Sequence, residues 1–175
     1  MNRRIVIIGF MGCGKTTVGE ALARRLERNF TDLDSFITKR EGRSPAEIIQ
    51  TDGEASFREI ETLALHEALA DLSAQVIALG GGTWTTPANR TLIALHNCFS
   101  VWLDAPFELC WQRIAGNLET VRPMAPDYDT ARKRFALRRP DYALVECCIR
   151  VSNAESAETL AAQILAQPGV SSSAP

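Results

Sequence analysis

Two histidines and no Cys-x-x-Cys spacing leave little from which to build a transition-metal site. The five cysteines, at 13, 98, 110, 147 and 148, are odd in number and unpaired in pattern, which argues against a disulfide framework. They read as the reduced thiols of a cytoplasmic protein. An excess of charge is missing too: 19 basic against 21 acidic residues leave a net charge of −2, so the chain has no broad field for nucleic acid. No apolar run approaches the roughly 18 residues of a membrane span. The segment from Met1 to Phe10 has two arginines and a short apolar run, without the longer apolar core and cleavage site of a signal peptide. Aromatic residues are few, and Trp84, Trp102 and Trp111 are scattered rather than spaced as a stacking platform.

What is present suffices for one core. The 175 residues are 46% hydrophobic and 23% charged, with no internal repeat or dividing linker. A single domain over 1–168 is expected, followed by a small, polar, disordered tail at 169–175. Ile5 to Ile8 is continuous and β-branched, as in a strand buried on both faces of a parallel sheet. After it come glycines, then Val18, Leu22 and Leu26 at helical spacing. Strands near Phe30 to Leu33, Val76 to Leu79, Phe99 to Leu103 and Val145 to Val151 alternate with helical patterns, which implies a parallel sheet covered by helices. Ser44-Pro45-Ala46-Glu47 and Thr51-Asp52-Gly53-Glu54 each read as a capping box, and Thr86-Pro87 as another helix start. The stretch 116–126 fits neither period and reads as a mobile loop. The basic helical segment from Asp127 to Arg139 is expected to stop at Pro140.

Gly9-Phe10-Met11-Gly12-Cys13-Gly14-Lys15-Thr16 has the spacing G-x-x-x-x-G-K-[ST] between a strand and a helix. Such a loop turns backbone N–H groups inward around phosphate oxygens, while the helix N-terminus adds positive potential. Lys15 then reaches the terminal phosphates, and the Thr16 hydroxyl is placed to ligate Mg²⁺. Asp32 and Asp34, two apart at the end of the second predicted strand, leave on one side at the sheet's carboxyl edge. One would hold Mg²⁺ through water and the other accept a hydroxyl proton, or Asp34 merely caps the helix starting at Ser35. From spacing alone Arg58 and Glu61 read as a surface ion pair with Glu54 as a further partner. Gly80-Gly81-Gly82, after another strand, lets a ligand approach the backbone closely. Arg132 and Lys133 read as a solvated face, whereas Arg122, in the irregular loop, is placed to swing onto a transferring phosphoryl group.

Together these elements resemble the shikimate kinase family. The resemblance rests on the loop from Gly9 to Gly19, Asp32-x-Asp34, Asp52-Gly53-Glu54 with Phe57-Arg58-x-x-Glu61, Gly80 to Gly82, Val121-Arg122-Pro123 and Arg138-x-Pro140-x-Tyr142. It implies a three-layer αβα P-loop kinase fold with a five-stranded parallel sheet of order 2-3-1-4-5, a substrate-binding region at about 34–61 and a lid at about 116–126. It also implies phosphorylation of the 3-hydroxyl of shikimate by ATP with Mg²⁺, Lys15, Asp34 and Arg122 being catalytic. ATP would contact Gly12, Cys13, Gly14, Lys15, Thr16, Thr17, Arg113 and Arg122. Shikimate would contact Asp34, Arg58, the Gly80 to Gly82 backbone and Arg138, with Glu61 orienting Arg58. Thr16, and Asp32 through water, would hold the metal. Partners would be the two small substrates, with no nucleic acid and no membrane, and the chain a monomer. Ile49, Trp84, Met124, Ala125 and Asp141 depart from the family's usual pattern. Ile49 and the altered lid leave one rival, a kinase for gluconate or another small hydroxy acid; a non-catalytic nucleotide-binding module is a second, against which the retained Lys, Asp and Arg members count.

Overall fold

The computed structural model describes residues 3–116 and 123–170. Strand β1 (Ile5–Ile8) lies at the centre of a five-stranded sheet of order β2-β3-β1-β4-β5, with β2 Asn29–Asp32, β3 Ala74–Ala78, β4 Phe99–Asp104 and β5 Cys147–Arg150. Every pairing is parallel. All four β1 side chains are buried, each contributing roughly 1.5–3 kcal/mol of transfer free energy. The edge strands β2 and β5 carry the partly exposed positions, as their one-sided pairing requires.

The crossovers are helical: α1 (Lys15–Leu26), α2 (Leu33–Glu41), α3 (Pro45–Ala70), α4 (Pro87–Leu95), α5 (Phe107–Ala115), α6 (Tyr128–Tyr142) and α7 (Ala157–Leu165), with a 3₁₀ turn over Thr83–Thr85. Because the sheet is parallel, the loops after β1, β2 and β3 open on one edge. That edge gathers Gly9 to Thr16, Asp32 to Asp34 and Leu79 to Gly82. No helix of the described residues is long and apolar enough to cross a membrane.

Three local expectations need correction. Leu33 is not a strand residue: Asp32 ends β2 and caps α2 by accepting from the Ser35 N–H at 3.1 Å, so Asp34 lies in the helix's first turn. A second helical stretch does start after Gly53, but Thr51 to Glu54 forms no capping box. The Thr51 hydroxyl donates back to the Glu47 carbonyl, Asp52 holds Arg43, and Gly53, at φ 86° and ψ 165°, breaks the helical path, so that α3 is two helices joined at a kink. A positive φ with an extended ψ is a backbone state that glycine adopts without a Cβ penalty. Pro140 does not stop α6, which continues to Tyr142. Tertiary bonds to Asp141 and Tyr142, described below, hold this last turn where propensity alone would end it. The Ser44 capping box is as expected, with the Glu47 carboxylate accepting from the Ser44 N–H at 2.6 Å.

Candidate active site

Two cavities that meet at Gly81 open on the carboxyl edge. One, of about 700 Å³, surrounds the loop from Met11 to Thr17 and extends to Arg113 and the Val151 to Ala157 segment. The other, of about 230 Å³, lies between α3, the triple glycine and α6. It is below the roughly 300–1,000 Å³ usual for drug-sized ligands, which leaves room only for a small molecule. Met11, Asp34 and Gly81 line both. Asp34 is the one titratable residue among these three.

In the larger cavity, Lys15 folds over the loop and its Nζ donates to the Gly9 and Phe10 carbonyls, each at 3.0 Å. Those neutral acceptors hold a cation without discharging it. The Thr16 hydroxyl donates to Asp32 Oδ2 at 2.7 Å, so the expected metal-side pair is assembled across α1 and β2. These hard oxygens, few in number and bordering a phosphate cradle, fit Mg²⁺, which keeps most of its ligands as water and phosphate. Arg113 reaches the cradle's rim, donating to the Gly12 carbonyl at 3.3 Å. Cys13 is buried beneath the loop, and Thr17 lines the cavity.

The smaller cavity holds two guanidiniums with contrasting environments. Arg58 Nη1 donates to Glu61 Oε2 at 2.6 Å and Nη2 to Glu54 Oε1 at 3.2 Å. Burial pulls Arg58 down, but the two carboxylates outweigh it and hold the group above its ordinary pKa. This is no surface ion pair, since Glu61 is 1% exposed. Arg138 is 7% exposed, and burial pushes its pKa below the ordinary value. The Tyr142 hydroxyl opposes that shift, while the like charges of Arg58 and Arg134 add to it. Arg58 is therefore matched by carboxylates already in place, whereas Arg138 is a desolvated charge whose hydrogen-bond partner is the neutral Tyr142 hydroxyl.

The triple glycine forms the floor, and side chains crowd it. A Cβ on Gly82 would collide with the Arg58 guanidinium, and one on Gly80 would stand 2.6 Å from Glu61 Oε1 and 2.9 Å from Asp34 Oδ1. Glycine is needed here for proximity rather than for conformation. Pro123 and Met124 close one side opposite Ile49. Arg122, expected to act on the phosphoryl group, lies outside the described residues, as do positions 117–121 of the expected lid.

The structure thus brings Asp34, Arg58, Gly80 to Gly82 and Arg138 around one cavity, and Lys15, Thr16, Asp32 and Arg113 around its neighbour. Arg132 and Lys133 are exposed, as expected of a solvated face. Sequence reading missed Met11, a variable position in the loop pattern that separates the cavities. Thr83 was missed as well, although its hydroxyl donates to Glu61 Oε1 at 2.6 Å; its position next to the triple glycine was the available signal. Trp84, bulky after those glycines, points away from the acceptor cavity, and its Nε1 donates to the Asp141 carbonyl at 2.9 Å.

This arrangement has counterparts among known proteins. A family model described as shikimate kinase matches residues 11–168. The shikimate kinase of Nostoc punctiforme is 38% identical over 92% of this chain and 88% of its own. The solved structure of Acinetobacter baumannii shikimate kinase in complex with shikimate is 33% identical, covers 94% of this chain and 92% of its own, and superposes with a TM-score of 0.85. A gluconokinase from Sinorhizobium meliloti, 20% identical over 96% of this chain and 91% of its own, shares the fold with a TM-score of 0.65. With the sheet order, the phosphate loop and the paired arginines agreeing with a match over most of its length, the chain belongs to the shikimate kinase family.

Proposed function

We propose that the protein transfers the γ-phosphoryl group of ATP to the 3-hydroxyl of shikimate, as a kinase domain spanning 1–168 with its lid at about 116–126. The observation that carries this reading is the pair of adjoining cavities, one a phosphate cradle and one holding Arg58 and Arg138, with Asp34 lining both. Two planar guanidiniums grip a carboxylate through paired donors in fixed geometry, which a neutral sugar does not exploit. Asp34 orients the ring hydroxyls and accepts the proton of the attacking one. The hydroxyl oxygen bonds to the γ-phosphorus as the bond to the bridging oxygen of ADP breaks in line. Lys15 and the loop N–H groups stabilise charge on the phosphates, and Arg122 from the lid joins them. Thr16, and Asp32 through water, hold Mg²⁺, which when bound neutralises phosphate charge. Arg113 lies against adenine. Lid closure excludes water, which otherwise competes with the acceptor for the phosphoryl group.

A monomer in the cytoplasm suits these small soluble substrates. A gluconate kinase would share the fold and reaction class, and gluconate too carries a carboxylate, but the family model and the relative matched over most of this chain are shikimate kinases. The test is ADP formation measured with shikimate, with gluconate and with neither. Formation dependent on shikimate is expected; equal release in all three reactions would overturn the reading.

A further inference from the structure

Neither gripping arginine is held by the cavity alone, and the supports of both converge on two neighbouring residues at the start of α4. Asn89, fully buried, donates from Nδ2 to the Thr83 carbonyl at 3.0 Å. The Thr83 hydroxyl donates to Glu61 Oε1, and Glu61 Oε2 accepts from Arg58, which completes a path of side-chain bonds from α4 to the first guanidinium. The next residue, Arg90, turns the other way. Its Nη1 donates to the Trp84 carbonyl at 2.8 Å and to Asp141 Oδ1 at 3.3 Å.

Trp84 Nε1 meets the Asp141 carbonyl, which also accepts from the Leu144 N–H at the end of α6, so the tryptophan ties the helix's closing turn to the 3₁₀ turn. One residue on, the Tyr142 hydroxyl donates to the Gly81 carbonyl. Arg138 lies one turn earlier on α6, so these bonds set the helix's position against the glycine floor. Thr83 and Trp84 are adjacent in the 3₁₀ turn, as Asn89 and Arg90 are in α4. None of the four lines either cavity.

We propose that the Asn89–Arg90 pair, acting through Thr83 and Trp84, positions the two acceptor-binding arginines: Asn89 sets Arg58, and Arg90 sets Arg138. Trp84 and Asp141 then form a brace outside the pocket rather than a change in its specificity. The Asn89 and Thr83 bonds of one arm are buried and those of the Arg90 arm part-buried, where loss of direction in a guanidinium fork is costly to ligand affinity. This inference rests on the proposed acceptor site.

Double-mutant cycles on shikimate affinity test it. Asn89→Leu, Arg90→Met and Trp84→Phe should each weaken shikimate about fivefold, the cost of one or two misplaced hydrogen bonds, with KM for MgATP unchanged. Arg90→Lys, which retains a donor, should recover most of the loss. The Asn89→Leu effect should fall below about twofold in an Arg58→Lys background and persist in Arg138→Lys; Arg90→Met should show the reverse. If Asn89→Leu fails to fold, Thr83→Val interrupts the same path at the hydroxyl. Additive effects in both backgrounds, or equal weakening of MgATP and shikimate, would overturn the proposal. Shikimate-dependent ADP formation by the unaltered protein, run alongside, separates failure of the brace from failure of the acceptor reading.

Discussion

Replacing Asp34 with asparagine is expected to lower kcat by about 10²–10⁴-fold while KM for shikimate and ATP stays within about threefold. The carboxylate lines both cavities, so it stands where the acceptor oxygen must meet the phosphoryl group. Asparagine keeps the shape and one hydrogen-bonding oxygen but no longer accepts a proton at neutral pH. Ground-state contacts therefore survive and the transition state loses its base, which is the signature of an interaction gained only during reaction. Single-turnover phosphoryl transfer measures this without interference from product release. A rate within about threefold of the unaltered protein's would assign Asp34 to hydroxyl positioning alone.

The second large effect separates binding from stability at a single residue. Arg138→Met should weaken shikimate by about 100-fold or more while raising the thermal midpoint by about 2–4 °C. The sign follows from its environment: burial lowers the folded-state pKa, so the protonated group carries a desolvation cost wherever it is charged. An apolar side chain of similar length removes that cost together with the anion's partner. Arg58→Met should behave oppositely in stability, because it strips the buried Glu61 of a 2.6 Å ion pair and leaves the carboxylate to the Thr83 hydroxyl. Thermal melts of the two variants with shikimate titrations decide the matter. A midpoint that falls for Arg138→Met would show that the charge is compensated in the folded protein.

The candidate site was readable because its residues follow local pattern. Gly9 to Thr16 requires only a strand before it and a helix after it, and continuous burial of β1 supplies the first. Asp32, Asp34 and Gly80 to Gly82 follow strands whose parallel pairing sends them to one edge. The resemblance, not periodicity, pointed to Arg58 and Arg138, since charge spacing on a helix describes a solvated ion pair equally well. Burial separates the two, and burial is a property of what packs above the helix. The brace was illegible for the same reason: Asn89–Thr83 and Trp84–Asp141 join residues whose bonding depends on where α4 and α6 settle. Pro140 misled because a local helix breaker was weighed without the tertiary bonds that hold the following turn.

The central claim is that Arg58 and Arg138 together recognise a carboxylate beside Asp34. Calorimetric titration of the protein with shikimate and with its carboxamide, in which the anionic group alone is neutralised, tests it most directly. Shikimate should bind about 100-fold more tightly than the amide, and that ratio should shrink to within about threefold in Arg58→Met/Arg138→Met. Equal binding of acid and amide to the unaltered protein would contradict the account.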